Sequence, residues 1–475
     1  MPDSVHAVSV AMPLWEHVIG YEERRPEVMA KLACGYPRFV FHPLVQQVMD
    51  EFTRQFATPE EQAFIFPSEY SAQRAVEFVK QRTGVVPRVC VGHPSGVHVV
   101  IVPRESAEHV KAYWQHFGEI VSSRWCLRMI EGAAKAPSSC PAKDVLRERL
   151  AVWYGVPSSN VFLFPTGMAA FGFAHRVLKT ESPGKRTAQF GFPYVDGCNV
   201  QAVLPPGVFF LPKTDAESVS RLTEALNAEP FAGIFTEFPS NPLLDAPDVA
   251  LLASLAERHG VPVVIDDTLS TPANVDLTPF ADLIVTSLTK YISGVGDVMG
   301  GALIVSAGRA RTARLLQRAQ DLYEDLFYDE DAYVLERNSR NFLSRMQHIN
   351  TTAETVCDRL KAHPAIAHVA YPKYTCPASF ERVLRSGGGY AGLFSFVLKN
   401  PADAAAVYNR LRMCKGPSLG NNFSLVCPYT LLAHYNELDW AEKQGVSRYL
   451  LRVSIGLEHP EDLIARFEEA LHGVM

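Results

Sequence analysis

Ile284-Val-Thr-Ser-Leu-Thr-Lys290-Tyr-Ile-Ser-Gly-Val-Gly-Asp-Val-Met-Gly-Gly301 is a strand-like apolar run that ends in hydroxyl residues and a lysine, then turns through glycines. Short apolar runs bounded by turn residues mark strands buried in a parallel sheet. Ligands gather beyond the carboxyl ends of such strands, where Lys290 stands. A lysine amine is a flexible point charge whose pKa falls on desolvation, so it can form a Schiff base with an aldehyde. Ser287 and Thr289 are spaced to offer hydroxyls to a phosphate of the same ligand. Alone, the letters also suit a surface lysine after a strand, and the neighbouring motifs shift the reading.

Upstream, Gly260-Val-Pro-Val-Val-Ile-Asp266-Asp267-Thr268 is a second apolar run that ends in acids. Asp266 at its end can pair with a protonated pyridine nitrogen, although a helix-cap or turn carboxylate has the same letters. In Phe162-Leu-Phe-Pro-Thr-Gly167-Met168 an apolar strand turns into a helix rich in small residues. Gly167 allows close backbone approach, and the free N–H groups of a helix start receive phosphate; an ordinary strand-to-helix turn looks alike. In Thr236-Glu-Phe-Pro-Ser-Asn241-Pro242, the asparagine precedes a proline and is biased away from helical geometry. Its amide can reach a ring hydroxyl and a substrate carboxylate, while Asn-Pro is also a common turn dipeptide. A lysine for an aldehyde, a helix mouth for a phosphate and a carboxylate for a ring nitrogen together suit pyridoxal phosphate (PLP), an electron sink for amino-acid carbanions.

The order of these motifs resembles the cysteine/methionine-metabolism family of fold-type I PLP enzymes, over roughly residues 116 to 475, with Ser418-Leu-Gly420 and Leu451-Arg452-Val-Ser-Ile-Gly as further matches. Within it, three passages resemble the fungal cystathionine γ-synthase-like branch: Ser9-Val-Ala-Met-Pro-Leu-Trp15 with Gly35-Tyr-Pro-Arg-Phe39, Leu335-Glu-Arg-Asn-Ser-Arg-Asn341, and Pro428 to Trp440. The resemblance implies an α/β fold: a large, mostly parallel PLP-binding domain, a smaller C-terminal α/β domain and an N-terminal extension. It implies Lys290 as the cofactor lysine and proton carrier, with Asp266, Gly167, Met168, Asn241, Ser287 and Thr289 around the cofactor. By the same resemblance Arg452 is expected to grip the substrate carboxylate beside Asn241 and Ser418, and Arg124 to reach the phosphate from a neighbouring subunit, so a homo-oligomer, dimer or tetramer, is expected.

Three departures stand out. The family's ring-stacking tyrosine is Phe190 here, which can stack but carries no proton, and Tyr194 is the alternative aromatic. A second tyrosine is replaced by Ser122. The family's Asp-Asn-Thr is Asp266-Asp267-Thr268, which adds a carboxylate that needs a partner if buried.

The resemblance implies γ-replacement on an O-acyl-L-homoserine, acetyl or succinyl, through a vinylglycine-type intermediate, with L-cysteine as nucleophile and cystathionine as product. Two alternatives stay open: a carbon or amine nucleophile that yields a non-protein amino acid, and a family lyase running an elimination. A PLP-binding protein without catalysis is a further reading, disfavoured by the retained Lys290, Asp266, Asn241 and Arg452.

Composition agrees with a soluble globular protein: 475 residues, 47% hydrophobic and 20% charged. A net charge of −6 with no basic run argues against a nucleic-acid partner. Nine scattered cysteines without a Cys-x-x-Cys pair suggest reduced thiols and a cytoplasmic location, and no apolar stretch is long enough for a membrane span. The histidines show no metal spacing. Residues 1–115 are expected to form a small α/β unit, with strands at 89–92 and 99–103 and a helix over 71–82. Residues 116–330 then form the large domain, and 331–475 the C-terminal domain, with strands at 368–371 and 393–398.

Overall fold

The computed structural model describes residues 3–32, 34–90, 96–132 and 139–474. The chain starts on its C-terminal half. Val10, Met12, Val18 and Tyr21 are buried in one core with Val356, Phe394 and Leu451. There the Met12 N–H donates to the Lys415 carbonyl at 3.0 Å, and the Tyr408 hydroxyl donates to the Met12 carbonyl at 2.6 Å. The expected small α/β unit begins only at the helix Pro43–Phe56. It contains the antiparallel strands β1 (Glu61–Phe66), β2 (Arg88–Cys90) and β3 (His98–Pro103) in the order β1-β3-β2. Residues 1–115 are therefore not one unit, because the apolar stripe of the first helix, Trp15–Glu22, covers another domain's core.

The helix read over 71–82 spans Glu69–Thr83, opened by a Ser68/Ser71 capping box and closed by Gly84 at φ 75°. The strand read at 89–92 is Arg88–Cys90, and its last two positions lie outside the described residues.

The large domain is built on β4 (Val161–Phe164), β5 (Thr187–Phe190), β6 (Val208–Leu211), β7 (Gly233–Glu237), β8 (Val263–Asp266), β9 (Leu283–Ser287) and β10 (Gly301–Val305). They form one sheet in the order β4-β10-β9-β8-β7-β5-β6. Strands β5 to β9 run parallel, and β10 is antiparallel to both neighbours. Both faces are covered, so β8 carries apolar side chains on both: Val263 and Ile265 enter one core with Leu146 and Leu252, while Val264 enters the other with Phe173 and Trp114. That second core is shared with the N-terminal unit.

The boundary drawn at 330 falls within the helix Asp329–Ser339. The next helix, Phe342–Lys361, joins the domains: Phe342, Met346 and Ile349 belong to the large-domain core, and Ala353, Val356 and Leu360 to the C-terminal one. The C-terminal sheet holds β11 (Ile366–Ala370), β12 (Leu393–Leu398), β13 (Cys414–Lys415), β14 (Leu425–Pro428) and β15 (Leu451–Ser454) in the order β11-β12-β15-β14-β13. Among the described residues no helix is long and apolar enough to cross a membrane, and no His/Cys/Asp/Glu cluster could hold a metal ion.

Candidate active site

Lys290 leaves the carboxyl end of β9 on a loop pinned from both sides. The Ser287 N–H donates to Thr268 Oγ1 at 2.8 Å, and the Leu288 N–H to the Gly300 carbonyl at 3.0 Å. The Thr289 hydroxyl donates to the Gly300 carbonyl at 3.2 Å and accepts the Gly300 N–H at 3.1 Å. Thr289 is 1% exposed, and its hydroxyl, expected at a phosphate, here holds the loop to the start of β10. Ser287 instead faces Gly167, where an added Cβ would lie 2.8 Å from Ser287 Cβ. Only glycine leaves this space open. It sits at the mouth of the helix Gly167–Glu181, where Thr166 Oγ1 caps the Ala169 N–H at 3.0 Å. The Gly167 and Met168 N–H groups have no intrahelical acceptor, and the helix dipole makes this end electropositive.

Adjacent strand ends carry two half-buried carboxylates, Glu237 and Asp266, opposite one another in the β7–β8 register. Burial, then the charge of Asp266, pushes Glu237 well above the usual carboxylate range, and burial raises Asp266 as well. Glu237 Oε1 accepts the Tyr194 N–H at 2.5 Å, and Asp266 Oδ1 accepts the Thr268 N–H at 2.9 Å. A proton or a cation is needed between two such acids, and Asp266 would hold the pyridinium N–H of a bound cofactor as that cation. Glu237 drew no role from sequence; its signal was an acid ending a strand next to Asp266.

The extra acid, Asp267, is 1% exposed and accepts the Tyr154 hydroxyl at 2.9 Å. Burial dominates and raises it from 3.8 to about 7, so the folded protein binds a proton there that the unfolded chain releases. Its contribution to stability is full below the unfolded value near 3.8 and is lost as pH rises through about 7. Asp267→Asn, which keeps the shape without the charge, should flatten the fall in melting temperature between pH 3.8 and about 7; an unchanged slope would place the charge elsewhere.

Arg452, on β15, is 4% exposed and extends a fork toward the same cleft. It donates to Asn241 Oδ1 at 3.1 Å and to the Pro417 carbonyl at 2.5 Å, and it lies 4.6 Å from the centroid of the Tyr429 ring. Asn241 precedes a cis proline and receives no second strong contact, its Nδ2 standing 3.4 Å from the Tyr429 hydroxyl. Ser418 is 3% exposed, and its hydroxyl has no hydrogen-bond partner. An orphaned buried hydroxyl costs about 1–3 kcal/mol, which a bound ligand recovers. Burial lowers the Lys290 pKa most; Tyr36 opposes this, and the Arg452 and Arg38 cations push it further down. The glycine cradle, the orphaned Ser418 and the paired acids fit PLP.

Tyr36 and Arg38 come from the N-terminal passage that drew no functional role from sequence. The Lys290 amine lies 4.7 Å from the centroid of the Tyr36 ring. Arg38, 3% exposed, donates to Asp196 Oδ2 at 2.7 Å, to the Tyr194 hydroxyl at 2.7 Å and to the Gln115 carbonyl. Tyr194 thus joins this group, whereas Phe190 is 2% exposed and packs in the large-domain core with Leu211, Ile234 and Ile265. Arg124 is 8% exposed and its guanidinium is held within the chain, 3.0 Å from Asp331 and 3.8 Å from Asp297. Its expected place at a neighbour's phosphate requires these pairs to open.

The model of the Cys/Met metabolism PLP-dependent enzymes matches residues 136–472, and that of the fungal trans-sulfuration enzyme N-terminal domain matches residues 44–122. A cystathionine gamma-synthase of Neurospora crassa is 32% identical, with 99% of this chain and 96% of that protein covered. A cystathionine gamma-synthase-like enzyme of Amanita muscaria is also 32% identical, over 99% and 95%. Among solved structures, a cystathione gamma lyase from Micromonospora echinospora superposes with a TM-score of 0.61 at 27% identity, covering 72% of this chain and 89% of its own. With one model spanning the large and C-terminal domains and another the N-terminal unit, the chain belongs to the Cys/Met metabolism PLP-dependent enzymes and carries the N-terminal domain of the fungal trans-sulfuration group.

Proposed function

We propose that the protein catalyses γ-replacement on an O-acyl-L-homoserine, acetyl or succinyl, with L-cysteine as nucleophile and cystathionine as product. The observation that carries this reading is the buried Arg452–Asn241 pair beside Lys290, since Arg452 acts on the lysine's charge and its fork is built to orient a carboxylate. An amino-acid carboxylate on Arg452 brings the Cα proton toward the Lys290 amine. PLP, when bound, supplies the electron sink that makes Cα and Cβ acidic.

The chain does the rest. The Gly167 and Met168 N–H groups and Ser287 hold the phosphate, and Asp266 holds the ring nitrogen protonated. Asn241 and Ser418 line the cleft, and Lys290, its amine made less basic by burial, moves protons at Cα and Cβ so that the γ-acyloxy group leaves. Arg124 serves a second copy of the chain across a homo-oligomer interface.

A carbon or amine nucleophile is the second reading. The alignment to the Neurospora enzyme extends over 603 positions, more than this chain has residues, so that relative carries segments this chain lacks. The test is mass spectrometry of products after incubation with PLP and O-acetyl- or O-succinyl-L-homoserine, each with and without L-cysteine. Cystathionine only with cysteine supports the first reading. Donor consumption, or deuterium entering Cα and Cβ in heavy water, without cystathionine supports the second. A donor left intact and unlabelled in every mixture overturns both.

A further inference from the structure

Two phenols that the resemblance leads one to expect near the cofactor are absent, at Phe190 and Ser122. Phe190 is closed into the core, and Ser122 accepts the Trp125 N–H as a helix cap at 3.2 Å. A different phenol stands against the amine that must carry protons. Tyr36 lies on a tight turn in which the Phe39 N–H donates to the Tyr36 carbonyl at 2.8 Å, and Gly35 packs so closely on Val40 that an added Cβ would lie 2.5 Å from it. The next residues fasten the turn to two domains. Trp114 Nε1 donates to the Pro37 carbonyl at 3.1 Å, and Arg38 pairs with the fully buried Asp196. Tyr36 is held in place, with its ring centroid 4.7 Å from Lys290 Nζ.

We propose that Tyr36 is a catalytic residue supplied by the N-terminal segment, whose phenol oxygen exchanges a proton with the amine of Lys290. The inference rests on Lys290 being the cofactor lysine. In the step, the ammonium N–H of Lys290 breaks and an O–H forms on the Tyr36 phenolate, leaving a neutral amine and a neutral phenol. The reverse transfer reprotonates Lys290 after it has given its proton to substrate carbon. The net charge of the buried site stays the same in either direction, since ammonium and phenolate appear and vanish together. The electrostatic setting agrees: burial opposes ionisation of Tyr36, and the Lys290 and Arg38 cations overcome it, leaving the phenol more acidic than an ordinary tyrosine. The groups facing this pair are Arg38, Arg452 and Tyr194.

The test is Tyr36→Phe, which keeps the ring. In the holoenzyme the visible absorbance of lysine-bound PLP should persist, while deuterium exchange at Cα of the donor the wild type consumes falls by ~10²–10³-fold. Exchange equal to the wild type overturns the proposal. An ultraviolet titration of the full chain freed of PLP provides a second readout. The wild type should show one phenol ionising below the ordinary tyrosine range, missing in Tyr36→Phe and moved upward in Lys290→Ala. A titration unaltered by Lys290→Ala overturns the proposal even if Tyr36→Phe fails to fold. Lysine-bound absorbance surviving in Lys290→Ala would instead overturn the assignment of the lysine itself, and this inference with it.

Discussion

Lys290→Ala is expected to give a folded protein that no longer shows the visible absorbance of lysine-bound PLP and no longer turns over its donor. Loss of a general base alone lowers a rate by ~10²–10⁴-fold, and here the same amine also anchors the cofactor. The fold should not suffer, because burial works against the charged amine of Lys290 and alanine relieves that cost. Melting temperature should hold or rise while activity vanishes, as at sites built for function rather than stability. The measurement pairs an absorbance spectrum with deuterium exchange at Cα. Retained exchange would remove Lys290 from the chemistry.

Arg38→Ala should act the other way, on stability first. Arg38 and Asp196 are 3% and 0% exposed and 2.7 Å apart. Removing the guanidinium leaves a buried carboxylate with the ring of His116 at 3.0 Å and the amide of Gln115 at 3.4 Å. Breaking a buried pair from one side costs about 3–5 kcal/mol, because the remaining charge is uncompensated. The denaturant midpoint of Arg38→Ala should fall accordingly, and adding Asp196→Ala should restore part of it, since the double variant buries no orphan charge. A single variant as stable as the wild type would mean that Asp196 is solvated in solution.

The strand ends were legible in the sequence because their signals are local. A buried parallel strand is a short apolar run, a helix mouth needs a glycine where the backbone comes close, and both patterns survive without knowledge of the rest of the chain. Thr289 shows the limit of such reading. The letters of Ser287-Leu-Thr-Lys290 are the same whether the threonine hydroxyl faces a ligand or the Gly300 backbone, and only the position of β10 separates the two. The N-terminal boundary failed for a related reason. The helix Trp15–Glu22 has an apolar face, but an apolar face does not say which core it covers, and this one covers that of the C-terminal domain. Tyr36 and Arg38 were quoted only as part of a family likeness, since nothing in five residues near the start of the chain announces a contact with Lys290 more than two hundred positions later. Arg124 has yet another history: its letters suit a phosphate, and within one chain its guanidinium is taken by Asp331 and Asp297.

Near its start the chain is stitched to the C-terminal sheet by the Met12–Lys415 and Tyr408–Met12 hydrogen bonds. Only a short run later it is riveted to the large domain through Arg38 and Asp196. This makes the first forty residues a leash across the joint between the two domains, with Tyr36 near its far end. A displacement of the small domain would be carried along the same segment that holds the phenol against the lysine. The spacing of the two domains and the placement of Tyr36 would thereby shift together, and a single cut between the two anchor points would let each move without the other.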